Sequence, residues 1–248
     1  MPTLTEYIAH LRSLPTAEWD TYLSTNSGLP GPRANLALAD AVAEVAGEAI
    51  FRHLLTYAPT IAPTNTPGEF LAFCGTVGFG KLLIDHHPDA LPILRASAND
   101  PRWRVREGTA IALQHFGDHD MSVLIDFMMD WHRGTLYEQR AVAAALCEPR
   151  LLKNPEHAAC VLNILNAITA GILTVTNRKA DDFIALRKGL AYCWSVAVVA
   201  LPEQGKPLME KWLTSSDKDI RWLMRENLKK DRLKRMDAEW VESLSAIS

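Results

Sequence analysis

Hydrophobic residues along the chain recur mostly with the period of an α-helix. The first helix is predicted from apolar side chains at i, i+3, i+4 and i+7, namely Leu4, Tyr7, Ile8 and Leu11. A long alanine-rich helix is predicted from about Ala34 to Tyr57. Polar and apolar residues nowhere alternate over enough positions to predict a β-strand. The pattern therefore predicts an all-α protein.

Two irregular segments interrupt the helical pattern. Ser24–Arg33 contains two prolines and two glycines, and residues 58–67 contain three prolines. The second segment ends in Thr66-Pro67-Gly68-Glu69, which has the sequence of a capping box with proline at the first helical position. We therefore expect an N-terminal helical cap segment over residues 1–60 and a repeat region over residues 61–248, forming one continuous domain.

The repeat region is recognised by a motif that occurs twice. Residues 100–107 and 219–226 both read Asp-x-Arg-Trp-x-apolar-Arg-Glu. Related blocks begin at residues 105, 138 and 186, and the equivalent position of the second motif is Met224, so successive blocks are 33, 48 and 38 residues apart. A spacing near forty residues is typical of stacked helix pairs, because one pair cannot bury its apolar face alone. The sequence thus predicts an α-α superhelix, that is, an α-solenoid.

The first copy of the motif, Asp100-Pro101-Arg102-Trp103-Arg104-Val105-Arg106-Glu107, resembles the start of the second helix of a HEAT repeat. The resemblance covers residues of about 69–235. It implies stacked helix pairs in which aspartate and arginine side chains of successive units form a ladder along the inner helices. It implies an architecture and not an activity, because HEAT proteins have many functions.

A second resemblance concerns DNA repair. In size and helix content the chain is similar to the HEAT-like alkylpurine DNA glycosylases, which use tryptophans and an aspartate one turn after a tryptophan. Trp103 with Glu107, and Trp222 with Glu226, have this spacing. This chain departs from the family pattern because the acid is glutamate and the arrangement occurs twice. The resemblance implies a DNA-binding or DNA-repair role as an alternative.

The arginines of the two motifs form like-charged i, i+4 pairs, Arg102 with Arg106 and Arg221 with Arg225. Such pairs destabilise an isolated helix, so we expect each arginine to face a partner. One hypothesis is a structural ladder with the nearby acids Asp100, Asp217, Asp219, Glu107 and Glu226. The other is a stripe that binds an anion or a protein partner, in which Trp103 and Trp222 provide stacking surfaces.

Two further candidate sites are basic. The segment 227–235 carries five cations that could contact a nucleic-acid backbone or form a solvated helix end: Lys229, Lys230, Arg232, Lys234 and Arg235. In the early loop, Arg33 and Asn35 lie at the start of the next helix, where an anion can bind. A structural corner between two helices is the other interpretation of that loop.

Charge, cysteine content and the lack of a long apolar run indicate where in the cell the protein is expected. The net charge is −3, yet residues 1–98 hold 5 Lys/Arg against 9 Asp/Glu, and residues 206–235 hold 10 against 5. The four cysteines form no CxxC pair, and the N-terminus lacks the pattern of a signal peptide. We find no run of about 18 uncharged apolar residues. These features predict a soluble cytoplasmic protein.

No residue pattern specifies a reaction, a metal site or a cofactor. His115 with His119, and His157 with Cys160, have helical spacing but lack the second pair that a zinc site needs. The sequence therefore favours a non-catalytic scaffold that holds a protein partner on a concave inner-helix surface. The alternative is a nucleic-acid-binding protein of the HEAT-like glycosylase kind.

Overall fold

The computed structural model describes residues 2–247, and every regular element in that range is helical, with no strand. The all-α fold class is therefore confirmed. The helices form two compact units, Met1–His119 and Asp120–Ser248. The helices on both sides of residue 60 belong to the first unit, and the predicted division into residues 1–60 and 61–248 stays a prediction.

The first unit is arranged around one buried helix. Its helices are α1 Leu4–Ser13, α2 Trp19–Thr25, α3 Leu36–Val45, α4 Glu48–Leu55, α5 Pro67–Ile84, α6 Ala90–Ala98 and α7 Trp103–His119, with a 3-10 turn at Thr16–Glu18. Helix α5 packs against α2, α3, α4, α6 and α7. Residues 69–80 of α5 are buried on every face, as expected for a helix without a polar side.

The prediction of one long helix from Ala34 to Tyr57 is wrong, because the chain forms two shorter helices there, α3 and α4. Ala46 and Gly47 adopt extended backbone conformations between α3 and α4. Glycine is a poor helix former, so a break at Gly47 costs little. The break allows both α3 and α4 to contact α5.

The capping box predicted at Thr66–Glu69 is also wrong. Thr66 precedes α5 and Pro67 is its first residue, as the sequence indicates. However, the Thr66 hydroxyl donates to the carbonyl oxygen of Pro63, and a Glu69 carboxylate oxygen accepts from the amide of Asn65. Glu69 is fully buried and pairs with an arginine from α7, so a tertiary contact replaces the local cap.

The second unit has its own central helix. Its helices are α8 Met121–Trp131, α9 Leu136–Leu146, α10 Pro155–Gly171, α11 Asp181–Ala200, α12 Pro202–Leu213, α13 Lys218–Leu228, α14 Asp231–Met236 and α15 Ala238–Ile247, with 3-10 turns at Pro149–Leu151 and Ile172–Thr174. Helix α11 packs against α9, α10, α12, α13 and α14. Phe183 and Trp194 of α11 are fully buried in the core of this unit.

Two segments of the second unit, Pro155–Thr174 and Asp181–Ala200, have the length and apolar composition of a membrane span. Of their most apolar windows, 44% and 56% are buried against other parts of the fold. Core helices of soluble proteins share these properties, so length and composition do not distinguish the two classes.

Candidate functional site

Arg102 of the first motif is used inside the fold. It lies immediately before α7, so the prediction that it shares a helix with Arg106 is wrong; its carbonyl oxygen accepts the backbone amide of Arg106. The guanidinium donates to both carboxylate oxygens of Asp100 at 2.9 and 2.8 Å. It also donates to the carbonyl oxygens of Tyr57 and Ala62. These contacts join the start of α7 to the segment between α4 and α5.

The first motif ends with Arg106 and Glu107. Nη1 of Arg106 donates to the carbonyl oxygens of Asp100 and Pro101 at 2.6 and 2.8 Å. The arginine side chain is buried and Glu107 is half-buried. Nη1 of Arg106 therefore joins α7 to the turn between α6 and α7.

Trp103 covers a buried ion pair that the sequence analysis missed. The Arg104 guanidinium lies 4.4 Å from the Trp103 ring centroid, donates to Glu69 at 3.0 Å, and donates to the carbonyl oxygen of Gly31 at 2.6 Å. Glu69 is 0% exposed, whereas Trp103 is 46% exposed. A single glutamate within the apolar run after Pro67 was the signal that could have indicated a buried partner.

The side chain of Asn35 joins the early loop to its neighbours through three hydrogen bonds. The Asn35 side-chain oxygen accepts the amide of Leu38 and so caps α3. Its amide nitrogen donates to the Tyr7 hydroxyl at 2.8 Å and to the carbonyl oxygen of Asn26 at 2.9 Å. Arg33 of this loop is exposed.

The second motif has a different register relative to its helix. Trp222 is the fifth residue of α13, whereas Trp103 is the first residue of α7. Nη1 of Arg221 donates to the carbonyl oxygen of Ser215 at 2.6 Å. The Arg225 side chain is exposed and makes no ion pair or hydrogen bond with a side chain that the structure describes, and Glu226 pairs with Lys229. Aligned residues of the two motifs thus make different contacts.

Two arginines outside the motif bind Asp217, which precedes the second copy, and Asp219, which begins it. Arg178 donates to Asp217 at 2.8 Å and to Asp219 at 3.2 Å, and Arg187 donates to the other oxygen of Asp219. The Arg187 guanidinium also stacks on Trp222, 4.4 Å from the ring centroid. The acids at the start of α13 are thus paired with arginines from α11 and from the loop before it.

The carboxylate of Asp217 has a perturbed pKa. Partial burial opposes ionisation, but the hydrogen bonds from Arg178 and from the backbone amides of Ile220 and Asp219 outweigh it. The pKa of Asp217 is therefore held below its ordinary value. The same side chain accepts from the first amides of α13 and so caps that helix.

An open groove of about 590 Å³ lies on the second unit, between α11, α14 and residues 149–153. Six of its lining residues are apolar and are called the floor below: Pro149, Leu152, Val196, Val199, Ala200 and Met236. The other three, Lys153, Arg232 and Arg235, are called the rim. None of these three cations forms an ion pair with another residue that the structure describes. The groove therefore combines an apolar surface with uncompensated positive charge.

An exposed tyrosine extends the basic rim of the groove. The Tyr192 hydroxyl accepts from Arg232, whose guanidinium lies 4.5 Å from the tyrosine ring centroid. Lys230 lies 5.9 Å from the same ring, and Tyr192 is 45% exposed. The predicted basic segment thus contributes Arg232 and Arg235 to the groove. Lys229 and Lys234 are exposed but do not line it.

The histidines singled out from the sequence lie apart from any cluster of metal ligands. Nε2 of His115 is 3.8 Å from Asp40, and Nε2 of His157 is 3.1 Å from the Ser122 hydroxyl. Within residues 2–247, no group of three or more His, Cys, Asp or Glu side chains is arranged to hold a metal ion. His119 and Cys160 are exposed.

Comparison with known proteins gives a limited result. No protein family matches the chain, and no curated protein matches it. Among solved structures, the chain is similar to the crystal structure of an engineered protein from the Northeast Structural Genomics Consortium. The TM-score is 0.37 and the sequence identity 16%, over 95% of this chain and 98% of the other.

Proposed function

We propose that the protein is a non-catalytic binding module that holds a protein partner. The observation that carries this proposal is the open groove on the second unit, which offers an apolar floor and three cations without ion-pair partners. Protein interfaces combine an apolar centre with a polar rim, and this groove has both parts. The repeated arginines Arg102, Arg106 and Arg221 donate to groups of the chain itself, which supports a structural role for them within their own units.

We also infer that the helices are HEAT-like pairs. In the first unit the motif 100–107 joins α6 to α7, and in the second unit the motif 219–226 follows α12 and lies within α13. In both cases the two helices pack against each other. A motif placed near the turn of two separate helix pairs supports the interpretation of a repeat.

DNA binding is the competing proposal, because Arg232, Arg235 and Lys230 could contact phosphates. The apolar floor favours a protein partner over DNA, since a nucleic-acid backbone has no apolar side chains to bury there. The indoles of Trp103 and Trp222, which the glycosylase alternative would use around a base, each have one face against an arginine. The net charge of −3 adds no general attraction for DNA.

The first experiment measures binding of a fluorescent DNA duplex and of a single strand at about 50 and about 200 mM salt, because phosphate contacts make affinity depend steeply on salt. We expect no steeply salt-dependent binding. Tight binding that falls steeply with salt would replace the proposal by a nucleic-acid function and would justify an assay for release of alkylated bases.

The second experiment tests the protein partner directly. The wild-type chain and a groove variant, Val199→Gln with Arg235→Glu, are immobilised and exposed to an extract of the source cells. We expect a protein that the wild type retains and the variant releases. Retention of the same proteins by both would show that this groove does not hold the partner.

A further inference from the structure

We propose that the groove binds an acidic amphipathic helix of the partner, with apolar side chains on the floor and carboxylates against the rim. The inference rests on the proposed function and specifies the chemistry of the partner. It is argued from the charge of the rim, the composition of the floor and the open shape of the groove.

The rim cations are placed to contact one face of an acidic segment. Arg232 and Arg235 are three residues apart on α14 and therefore lie on the same side of that helix. Lys153 comes from a separate segment, after the 3-10 turn Pro149–Leu151. Carboxylates one helical turn apart on a partner could pair with the two arginines, and another could reach the lysine.

The positive charge is a local property of the groove. Residues 120–248 hold 18 Lys/Arg against 17 Asp/Glu, so the second unit as a whole is almost neutral. Lys230 and Arg232 both lie over the exposed ring of Tyr192, which extends the basic surface beyond the groove. A partner segment is therefore attracted to this place by short-range contacts, within about 10 Å at 0.1 M salt.

The floor requires apolar groups from the ligand. Val199 is 36% exposed although it belongs to the central helix α11, whose other valines are buried. Leu152 and Met236 flank it from the two neighbouring segments. A row of apolar side chains at i, i+3, i+4 and i+7 would cover this surface, as in other helix-in-groove complexes.

The open shape favours a peptide over a small amphiphile. Pockets for small molecules enclose about 70–90% of the ligand surface. This groove opens widely to solvent, so a fatty acid or a single lipid would remain largely exposed in it. A helix needs to bury only one of its faces, and its carboxylates can remain at the solvent-exposed rim.

The test uses a labelled synthetic helix of about five turns with leucines on one stripe and glutamates beside it. A matched peptide carries glutamine at every glutamate position, and another has the acidic composition in scrambled order. Fluorescence anisotropy with the full chain measures their affinities. We expect the acidic amphipathic peptide to bind about tenfold more tightly than either control, because both its charge and its stripe are needed.

Variants of the protein locate the binding. Arg232→Glu with Arg235→Glu should weaken binding of the acidic peptide about tenfold or more through charge repulsion. The matched control, Lys179→Glu with Lys211→Glu, makes the same change of charge at two exposed lysines of the same unit that do not line the groove. It should leave the affinity within about twofold, since charges outside the groove are screened. Thermal melts establish that both variants are folded. If the charge-reversal variant of Arg232 and Arg235 is not folded, Arg232→Gln with Arg235→Gln replaces it.

The floor is tested separately by Val199→Gln, which leaves the charge unchanged. It should lower the affinity for the acidic peptide about fivefold, because apolar contact is lost. Equal binding of the glutamine peptide would overturn the inference, and so would no binding of the acidic peptide. Either result leaves the proposed function intact if the extract experiment still yields a protein partner. Binding of DNA or of vesicles containing anionic lipid through Arg232 and Arg235, without peptide binding, would also overturn it.

Discussion

At the scale of single residues, arginine performs several distinct structural tasks in this chain. Arg102 binds the carboxylate of its near neighbour Asp100, and Arg106 donates to main-chain carbonyl oxygens. Arg104 forms a buried ion pair with Glu69, and Arg178 bridges two aspartates. A planar guanidinium with five donors can satisfy several acceptors at once, which explains why arginine is used where lysine could not serve.

The Glu69–Arg104 pair leads to a stability prediction. Glu69→Gln should lower the free energy of unfolding by about 3 kcal/mol, because the guanidinium of Arg104 would remain buried without its counter-ion. Urea unfolding followed by circular dichroism measures the change. Glu48→Gln, at the exposed pair with Arg52, provides the control and should have a much smaller effect. A loss for Glu69→Gln as small as that expected for the control would show that the buried pair does not stabilise the fold.

At the scale of elements, close approach of helices sets the core of the first unit. A Cβ atom added at Gly80 of α5 would lie 2.8 Å from the Cα and carbonyl oxygen of Ala112 in α7. These two helices therefore cross with their backbones nearly in contact. The helices can approach this closely because both positions carry small residues.

Gly80→Ala should consequently destabilise the protein by about 1–3 kcal/mol through overpacking. The matched control is Gly189→Ala in α11, where the new Cβ would be in ordinary contact, 3.4 Å from Cγ of Arg140. That substitution should stabilise by roughly 0.5–1 kcal/mol, since alanine is the better helix former. Thermal and urea unfolding of both variants measure the difference. Stabilisation by Gly80→Ala would show that the crossing of α5 and α7 is looser than described.

The start of α13 gives a prediction about pH. The pKa of Asp217 is below its ordinary value, so its interaction with Arg178 stabilises the fold above the unfolded pKa of 3.8 and is lost as pH falls through the folded pKa. Asparagine can still cap the helix but cannot titrate. Asp217→Asn should therefore be less stable than wild type at about pH 6, and this difference should shrink as pH falls through the folded pKa towards about pH 2.

Urea unfolding at these pH values tests the prediction, and Arg178→Gln should show the same narrowing because it removes the other partner. A difference between Asp217→Asn and wild type that stays constant with pH would contradict the assigned ion pair.

At the scale of the whole molecule, buried thiols in both units report on global unfolding. Cys74 lies in the first unit and Cys147 and Cys193 in the second, and all three are buried, whereas Cys160 is exposed. Burial raises the pKa of the Cys74 and Cys147 thiols well above the ordinary value, which further suppresses the reactive thiolate.

We therefore expect a thiol reagent to modify one cysteine rapidly in the native protein and the other three only as the protein unfolds. Mass spectrometry after brief labelling, with and without denaturant, counts the modified sites. Cys160→Ser should abolish the rapid phase and leave the slow phase unchanged. Rapid labelling of Cys74, Cys147 or Cys193 in native buffer would show that the corresponding core opens readily.

Helical periodicity was sufficient to predict the all-α class, because a period of 3.6 residues is a local property that a short window contains. The irregular segment after α2, which begins at Asn26 and not at the predicted Ser24, and the helix start at Pro67 were also predictable, since proline and glycine restrict or free the local backbone. The repeated motif identified two related places in the chain. It did not indicate that Trp103 would begin its helix while Trp222 would lie within one.

Tertiary structure decided the partners of the charged residues and the groove. Glu69 and Arg104 are 35 residues apart, and Arg187 and Asp219 are 32 apart, so no local pattern relates them. Lys153, Val199 and Arg235 meet only because α11 packs against both α14 and the turn at residues 149–151. The sequence alone determined the all-α class, because helical periodicity depends on near neighbours, but it did not determine the break between α3 and α4. Only packing determined which distant side chains meet, because those contacts depend on the arrangement of whole helices.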